Sequence, residues 1–379
     1  SYGHHTYGRR RPVQENDIYD LASITKIASV TAALMRLRDQ GLFHEDSLLG
    51  NYPPVPDSSN KADLLAAEVL AHQSGMIAWI PYYYETLEPL DSSQSLISSR
   101  FSSTYPLKIG DRLYFNRHVK YADGVYQKSH SADYPHQVAD DLYLRADWKD
   151  TIYKRSYDSR LISRKYRYSG LGFYMFHQII EHVTDTLLYP YVWHNFYDPL
   201  GAHTLGYRPL QRFPRERIVP TENDTYFRRQ LLHGHVHDMG AAMLGGVSGN
   251  AGLFGSANDL ATMMQMFLKG GTYGNRRYIA RSTLDRYTSC YNCRDNHRGL
   301  GFNKPVYWEK DAGPACNSAS ASSFGHSGFT GTLAWADPQY ELVYIFLSNR
   351  VHPDMGNNRL IDMNVRTDVQ QVIYNALMD

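Results

Sequence analysis

Between Ser23 and Gln40 an apolar side chain recurs at every third or fourth position. That spacing draws one apolar stripe along a helix, so the segment predicts a helix with a buried face. Gly41 follows directly and suits the left-handed residue that commonly ends a helix. Because such a stripe is stable only when it is covered, this helix must lie against a core. The residues of the stripe are Ile27, Val30, Leu34 and Leu37.

Four other segments carry clear patterns. The apolar spacing after Gly170 predicts a second amphipathic helix. Residues 330–336 and 341–347 flank the turn sequence Asp-Pro-Gln-Tyr and predict a β-hairpin, whose second, almost wholly apolar strand is expected to be buried on both faces. Residues 364–378 predict a final amphipathic helix, and residues 2–7 predict a strand. The apolar faces are Phe173, Phe176, Ile180 and Val183 in the second helix, and Val365, Val369, Val372, Ile373 and Ala376 in the final one.

Residues 77–165 are polar and aromatic with weak periodicity, and they hold many of the 31 tyrosines. We interpret this stretch as an inserted lid or cap. Trp79 and Tyr82–Tyr84 could line a groove for a sugar, a peptide or an apolar acyl group, because aromatic faces suit such ligands. The alternative is that these rings pack inside the cap and contact no ligand.

The length of 379 residues fits two or three domains, or one large α/β domain with an insertion. A net charge of +1 argues against a nucleic-acid-binding surface spread over the chain. The longest apolar runs, such as residues 342–347, are far shorter than the roughly 20 residues of a membrane-spanning helix, so no span is expected. No signal peptide is visible at Ser1.

The cysteines are too few for a disulfide framework, since the chain has only Cys290, Cys293 and Cys316. Cys290 and Cys293 fit a loop disulfide or two idle thiols.

The motif with the clearest chemical meaning is Ser23-Ile24-Thr25-Lys26, at the start of the first helix. Residues three apart on a helix lie on one face, so Lys26 would lie over Ser23. A neutral lysine amine there can accept the serine proton, and the N-terminal end of the helix stabilises negative charge. The spacing therefore predicts an activated serine nucleophile.

Two further motifs follow in order. Tyr168-Ser169-Gly170 opens the second helix, and Gly325-His326-Ser327-Gly328 precedes the hairpin. In this order the three motifs resemble the superfamily of serine β-lactamases and penicillin-binding proteins, and within it the branch of class C β-lactamases, D-aminopeptidases and esterases. The resemblance extends over nearly the whole chain. Other segments typical of this branch are 20–22, 70–76, 252–254, 257–261 and 326–331.

The resemblance implies an α+β fold of the β-lactamase type, with a mostly antiparallel sheet flanked by helices. It implies a discontinuous catalytic region in residues 1–76 and 239–379, and a helical, irregular and tyrosine-rich cap in residues 77–238 that carries the tyrosine motif. It also implies a serine acyl hydrolase acting on an ester, a D-amino-acid amide or a β-lactam, with no cofactor. The substrate would be a small molecule or a peptidoglycan fragment, and the location the periplasm or cell envelope.

The resemblance also assigns roles to individual residues. Ser23 would be the nucleophile that becomes acylated, while Lys26 and Tyr168 would share the proton transfers. The backbone N–H groups of Ser23 and Phe329 would form the oxyanion hole. His326 would polarise Tyr168 or hold a substrate carboxylate, with a charge that depends on pH. The adjoining substrate-binding positions are Ser327, Gly328 and Gly170.

Three departures from the family pattern shape these expectations. His326 stands where lysine is more common. Gly170 stands where asparagine or aspartate is usual, so a side chain that would hold the substrate amide or orient Lys26 is missing, and we expect poor handling of β-lactams. The helix and strands that usually precede the segment matching Tyr2 are absent, so we expect either that an upstream part of a longer chain, such as a further domain, is missing or that the sheet is built differently.

Two other functions remain open on the sequence. Gly170 favours a non-catalytic module that recognises penicillin or peptidoglycan. His233, His235 and His237 alternate, and on a strand their side chains would share one face and could bind Zn²⁺ in a zinc hydrolase. The resemblance to the serine family argues for an ordinary segment here, and our site assignment contains no metal.

Overall fold

The computed structural model describes residues 1–88, 95–110, 112–292, 294, 296–307 and 313–378. Its α-helices are α1 (Ala32–Asp39), α2 (Ala66–Leu70), α3 (Trp148–Asp158), α4 (Leu171–Thr184), α5 (Leu188–Val192), α6 (Met239–Met243), α7 (Ala257–Leu268), α8 (Arg281–Thr288), α9 (Arg359–Asp362) and α10 (Val365–Met378). Short 3-10 helices cover Ala22–Ile24, Leu49–Asn51, Tyr82–Thr86, Pro209–Gln211 and Arg215–Arg217, and π-helices cover Lys26–Thr31 and Trp193–Tyr197. None of the described helices has the length and apolar character needed to cross a bilayer.

All the strand pairs described are antiparallel. The strands are β1 (Tyr19–Asp20), β2 (Ile97–Ser98), β3 (Leu107–Gly110), β4 (Leu113–Phe115), β5 (Tyr126–Gln127), β6 (His136–Ala139), β7 (Leu142–Leu144), β8 (Asn223–Asp224), β9 (Gln230–Leu231), β10 (Phe254–Gly255), β11 (Thr272–Tyr273), β12 (Arg276–Arg277), β13 (Phe324–Ser327), β14 (Leu333–Asp337) and β15 (Leu342–Phe346). The sheet that matters for the site has the order β13-β14-β15, and β1 pairs separately with β10.

The predicted hairpin is confirmed as β14 and β15, but the burial of its second strand is not. Every residue of β14 is buried, because β14 lies between two neighbours, while β15 is an edge strand and most of its residues are half-buried. α7 packs against both strands. Tyr374 of α10 packs into a separate cluster with Trp335 and Tyr344 of the sheet. The sheet is therefore flanked by helices, as the α+β expectation required.

The predicted first helix is confirmed as a continuous helical segment, and its apolar stripe is wholly buried. Its first turns differ from an α-helix, since a 3-10 turn and a π-helical stretch precede α1. Gly41 has a φ of +73°, as expected for the residue that ends the helix. α4 packs against the π-helical stretch, which follows the turn that carries the candidate nucleophile. π-Helical turns are frequent at functional sites.

Two predictions about the ends of the chain are wrong. Residues 2–7 form no strand; one isolated bridge joins His4 to Pro12, and the Tyr2 side chain is 99% exposed. The final helix exists, but it turns another face inward: Val372 is 67% exposed, while Tyr374 is wholly buried. The reason is polar anchoring, because the Tyr374 hydroxyl donates to Asp337 Oδ2 at 2.6 Å at the end of β14.

The interpretation of the aromatic run as a ligand groove is wrong for its central rings. Tyr82 and Tyr83 are buried, and the Tyr83 ring lies 4.8 Å from that of Phe227. Trp79 remains 46% exposed. These two tyrosines pack into an aromatic cluster instead of facing a groove. Of the cysteines, Cys290 is disulfide-bonded and Cys316 is a buried free thiol, while Cys293 lies outside the described residues.

Candidate active site

The backbone before Ser23 is held in an unusual conformation. Ala22 has a φ of +48°, a region that a side chain with a Cβ enters at a cost. Buried Asp20 supports the bend, since its carboxylate accepts the N–H of Ala22 at 2.8 Å and that of His237 at 2.7 Å. The Thr25 hydroxyl donates to the Ala22 carbonyl at 2.6 Å. These bonds fix the turn that presents Ser23 at the start of the helix.

Three predicted residues meet at the serine oxygen. Lys26 Nζ donates to Ser23 Oγ at 3.0 Å, and the Tyr168 hydroxyl donates to the same oxygen at 2.8 Å. Lys26 also donates to the backbone carbonyl of Asn250 at 2.8 Å, and it is almost wholly buried. Ser23 itself is half-buried, so its oxygen remains within reach of a substrate. The predicted arrangement of a serine with two proton-transfer groups is therefore present in the structure.

The surroundings of Tyr168 favour its ionised form. Burial acts to raise the pKa of this phenol, but the charge of Lys26, the bond to Ser23 and the charge of Arg298 together hold its pKa below the usual value. The ring lies 4.6 Å from the buried ring of His72, whose Nδ1 accepts the N–H of Ser169 at 3.2 Å. These contacts fix the tyrosine motif beside the serine. A phenol whose pKa lies closer to the working pH supplies more of its phenolate, which is the form that can accept a proton.

His326 lies on β13 with its ring 6.1 Å from that of Tyr168. Burial and the nearby charges of Arg298 and Lys26 lower the pKa of this imidazole well below its usual value. The expectation that its charge changes with pH in the working range is therefore wrong. A ring that stays neutral can shape and polarise the site, but it does not supply the positive charge of the lysine that more often stands here.

Arg298 is a residue of the site that the sequence analysis missed. Its guanidinium is buried, lies 5.2 Å from the Tyr168 ring and donates to the hydroxyl of Tyr166 at 3.0 Å. It also donates to Asn303 Oδ1 and approaches His326. In the described part of the chain, these hydrogen-bond partners are all neutral side chains. Arg298 lies in a polar loop without periodicity, and nothing in its spacing relates it to the three motifs.

The segment after β13 lies against the strand that leads to Ser23. The Thr330 hydroxyl donates to the Asp20 carbonyl at 2.8 Å, and the N–H of Gly328 donates to the Thr332 carbonyl at 2.8 Å. A methyl group at Gly328 would lie 2.6 Å from the Leu21 carbonyl oxygen, so only glycine permits this approach. The backbone groups expected to form an oxyanion hole, at Ser23 and Phe329, thus lie on adjoining segments. Ser327 is half-buried and the Phe329 ring is half-exposed.

The alternating histidines do not converge. His233 Nε2 donates to the Ile218 carbonyl at 2.6 Å, His235 Nε2 pairs with Asp140 at 2.9 Å, and His237 Nε2 pairs with Glu222 at 2.9 Å. Each imidazole therefore has its own partner. No group of three potential metal-ligating side chains comes together within the described part of the chain. The residues proposed for a zinc site thus lack the geometry of one.

Comparison with known proteins agrees with this geometry. A family model described as "Beta-lactamase" matches residues 1–98 and 129–364. A protein of Escherichia coli (strain K12) named "Putative D-alanyl-D-alanine carboxypeptidase" is 29% identical over 361 residues, which cover 90% of this chain and 70% of that protein.

Solved structures extend the likeness to the fold. The D-amino acid amidase of Ochrobactrum anthropi SV3 superposes with a TM-score of 0.58 at 15% identity, covering 99% of this chain and 89% of that one. A penicillin-binding protein homologue from Caulobacter crescentus gives 0.57 at 17% identity, covering 92% and 81%. Since the family model spans most of the chain, this protein belongs to the Beta-lactamase family and is a serine hydrolase.

Proposed function

We propose that this protein hydrolyses an ester, a D-amino-acid amide or a β-lactam through an acyl-enzyme formed on Ser23. One observation supports this more than any other: Ser23 Oγ lies within hydrogen-bond distance of both Lys26 Nζ and the Tyr168 hydroxyl. Two groups able to move a proton thus contact one accessible hydroxyl, which is the arrangement that activates a serine nucleophile.

In this proposal the Tyr168 phenolate takes the proton of Ser23 as Oγ attacks the substrate carbonyl carbon, while charged Lys26 stabilises the phenolate. The carbonyl electron pair moves to oxygen in the tetrahedral intermediate. When the intermediate collapses, the bond to the leaving group breaks and Tyr168 returns the proton to that group. Water then attacks the acyl carbon of the acyl-enzyme and gives one proton to Tyr168. As the second tetrahedral intermediate collapses, the bond from the acyl carbon to Ser23 Oγ breaks and Tyr168 returns that proton to Oγ, which releases the acid and regenerates Ser23 and the phenolate.

The developing oxyanion would be held by the backbone N–H groups of Ser23 and Phe329. Support comes from the hydrogen bond between Thr330 and Asp20, because it holds the segment that carries Phe329 against the one that leads to Ser23. Fixed donors aimed at developing charge lower the barrier without reorganisation during the reaction. Ser327 and Gly328 would form the adjoining wall of the substrate site.

The substrate class that fits this wall carries a negative charge. Arg298 is buried with neutral partners beside His326, so an incoming carboxylate would meet a charged guanidinium. A peptidoglycan-derived peptide with a free C-terminal carboxylate has this character, and the relative named for D-alanyl-D-alanine carboxypeptidase supports it. Such a substrate would place the protein in the periplasm or cell envelope. We further propose that residues 77–238 act as the cap over this site.

The first test is the mass of the intact protein after incubation with a fluorophosphonate. We expect a single phosphonyl adduct in the wild type and none in Ser23→Ala, while Ser58→Ala, which alters an exposed serine, should label like the wild type. The same incubation with EDTA should give the same adduct. Labelling that persists in Ser23→Ala would exclude Ser23 as the nucleophile, and activity that EDTA removes and Zn²⁺ restores would contradict the serine mechanism.

A further inference from the structure

Gly170, at the start of α4, leaves a space beside the reacting groups. Its φ of −78° is open to every residue, so the backbone does not require glycine here. A methyl group at this position would lie 3.7 Å from both Cβ and Nδ2 of Asn250, which is ordinary contact. The side chain that faces Gly170 across this space is therefore Asn250, from the loop before β10.

Asn250 is directly connected to the reacting groups. Its backbone carbonyl accepts the hydrogen bond from Lys26 Nζ at 2.8 Å. Its side-chain Oδ1 accepts from the Ser248 hydroxyl at 2.7 Å, which directs the amide nitrogen away from Ser248. The residue is 5% exposed, so the amide is held in one place rather than solvated. Asn250 thus combines an anchor for the lysine with an oriented amide next to Gly170.

The loop that carries Asn250 is wedged between the serine helix and α4. A methyl group at Gly249 would lie 2.1 Å from the Phe173 carbonyl oxygen and 2.9 Å from Val30 Cγ2, so only glycine allows this packing. The Tyr207 hydroxyl donates to the Ser248 carbonyl at 3.2 Å from the other side. A loop packed this tightly has little freedom to shift, which is what a residue that orients a catalytic lysine requires.

The hydroxyl of Tyr174, one turn after Gly170, is buried beside the side chain of Asn250. Burial raises its pKa far above the usual value, and the Asn250 amide acts weakly in the opposite direction. The amide of Asn250 therefore lies over the first turn of α4, between Gly170 and Tyr174. This is the turn that follows Tyr168, and the backbone carbonyl of the same asparagine holds Lys26.

We propose that Asn250 orients Lys26 through its carbonyl, and that its side-chain amide holds the acyl-side amide of the substrate from the space that Gly170 leaves open. This inference rests on the proposed Ser23 mechanism and makes Asn250 a determinant of specificity. The favoured substrates are acylated amino acids and peptides, whose amide group offers a partner to Asn250. Simple acyl esters of the same length offer none.

The test compares two activated esters, the p-nitrophenyl esters of N-acetylglycine and of pentanoic acid. Their acyl chains have the same length and differ in the amide. The measured quantity is the ratio of kcat/KM for the two esters, each corrected for its uncatalysed rate. We expect Asn250→Ala to lower this ratio about tenfold, the effect of losing one hydrogen bond to a substrate. Asn250→Asp, which keeps the acceptor and the size but loses the donor, should lower it similarly.

The reciprocal variant separates this role from a structural one. Gly170→Asn combined with Asn250→Ala moves an amide back into the same space from the opposite side, so the ratio should rise above that of Asn250→Ala. Equal losses for both esters, or no change in the ratio, would overturn the proposal. Fluorophosphonate labelling of Ser23 is measured in every variant: absence of labelling in the wild type contradicts the Ser23 mechanism itself, whereas normal labelling with an unchanged ratio contradicts only the role of Asn250.

Discussion

Nη1 of Arg298 lies 3.4 Å from Nε2 of His326, and the other ring nitrogen, Nδ1, lies 2.7 Å from the carbonyl oxygen of Ser327. A guanidinium can only donate and a carbonyl can only accept, so Nε2 carries the lone pair and Nδ1 carries the proton. The two contacts together select one neutral tautomer of the imidazole. The positive charge on this wall of the site therefore belongs to Arg298 and not to His326.

This assignment predicts the effect of pH on catalysis. Burial and the charges of Arg298 and Lys26 lower the pKa of His326 well below its usual value, so the ring stays neutral as the pH falls through about 6.5, where a free histidine titrates. We expect His326→Gln, which also offers one donor and one acceptor, to keep the wild-type profile of kcat/KM against pH. A wild-type step near that pH that vanishes in His326→Gln would show that the histidine charge matters.

His326→Lys should behave differently from His326→Gln. A lysine there would place an ammonium group against the Arg298 guanidinium, and like charges at this distance repel. We expect a lower unfolding temperature than in either the wild type or His326→Gln, with a smaller deficit at high salt, where charges are screened. A lysine variant as stable as the wild type would mean that Arg298 can move away from this wall.

Arg298 should control the ionisation of Tyr168. Its charge is one of the effects that hold the pKa of Tyr168 below the usual value, together with Lys26 and the bond to Ser23. Removing the charge in Arg298→Gln raises that pKa, so a higher pH is needed to form the phenolate, and the acid limb of kcat/KM should move to higher pH. Arg298→Lys keeps a charge and should move it less. Circular dichroism of both variants checks the fold. An acid limb at the same pH in Arg298→Gln as in the wild type would show that Arg298 does not influence the ionisation of Tyr168.

The spacing of the motif at the start of the first helix was sufficient to predict that Lys26 lies over Ser23, and the resemblance to the family added Tyr168; the structure brings these three side chains together. It was also sufficient for the hairpin and the two main helices. Arg298 could not be predicted, because it reaches Tyr168 only after a loop distant in sequence folds against Tyr166 and Tyr168. Asn250 is similar: its contact with Gly170 depends on how closely Gly249 lets two segments pack.

The wrong predictions share one physical cause. An apolar run such as β15 looks the same whether its strand is central or at an edge, since position in the sheet depends on partners elsewhere in the chain. The buried face of α10 was predicted wrongly because only its apolar spacing was considered, whereas Tyr374 and Gln370 turn inward to satisfy buried groups, Asp337 and the N–H of Cys316 respectively. Buried hydrogen bonds of this kind can decide which face of a helix turns inward when its faces differ only modestly in apolar character.

Asp20 is predicted to support the active-site turn. Its two carboxylate oxygens accept the N–H groups of Ala22 and His237 inside the core. Asp20→Asn leaves one of these N–H groups facing an amide donor, which should lower the free energy of unfolding by about 1–3 kcal/mol. The measurement is urea unfolding, with Asp57→Asn at an exposed position as the control. Equal stability of the two variants would show that the turn does not depend on this carboxylate.

The last prediction concerns Gly170→Asn. On the sequence alone, Gly170 lacks the side chain that would hold the substrate amide and predicts poor handling of β-lactams, so an asparagine added there would be expected to improve acylation by a β-lactam more than hydrolysis of a small ester. The structure changes that expectation, because Cβ would fit beside Asn250 at 3.7 Å but the amide beyond it would compete with the Asn250 amide for the same space. We therefore expect Gly170→Asn alone to give no gain in the second-order rate of β-lactam acylation relative to ester hydrolysis, and a gain only when Asn250 is replaced by alanine.

Gly170→Ala, which adds Cβ without an amide, is the matched control and should leave both rates close to those of the wild type. If Gly170→Asn alone raises the β-lactam rate selectively, the space beside the nucleophile is unoccupied in solution and the Asn250 amide does not fill it.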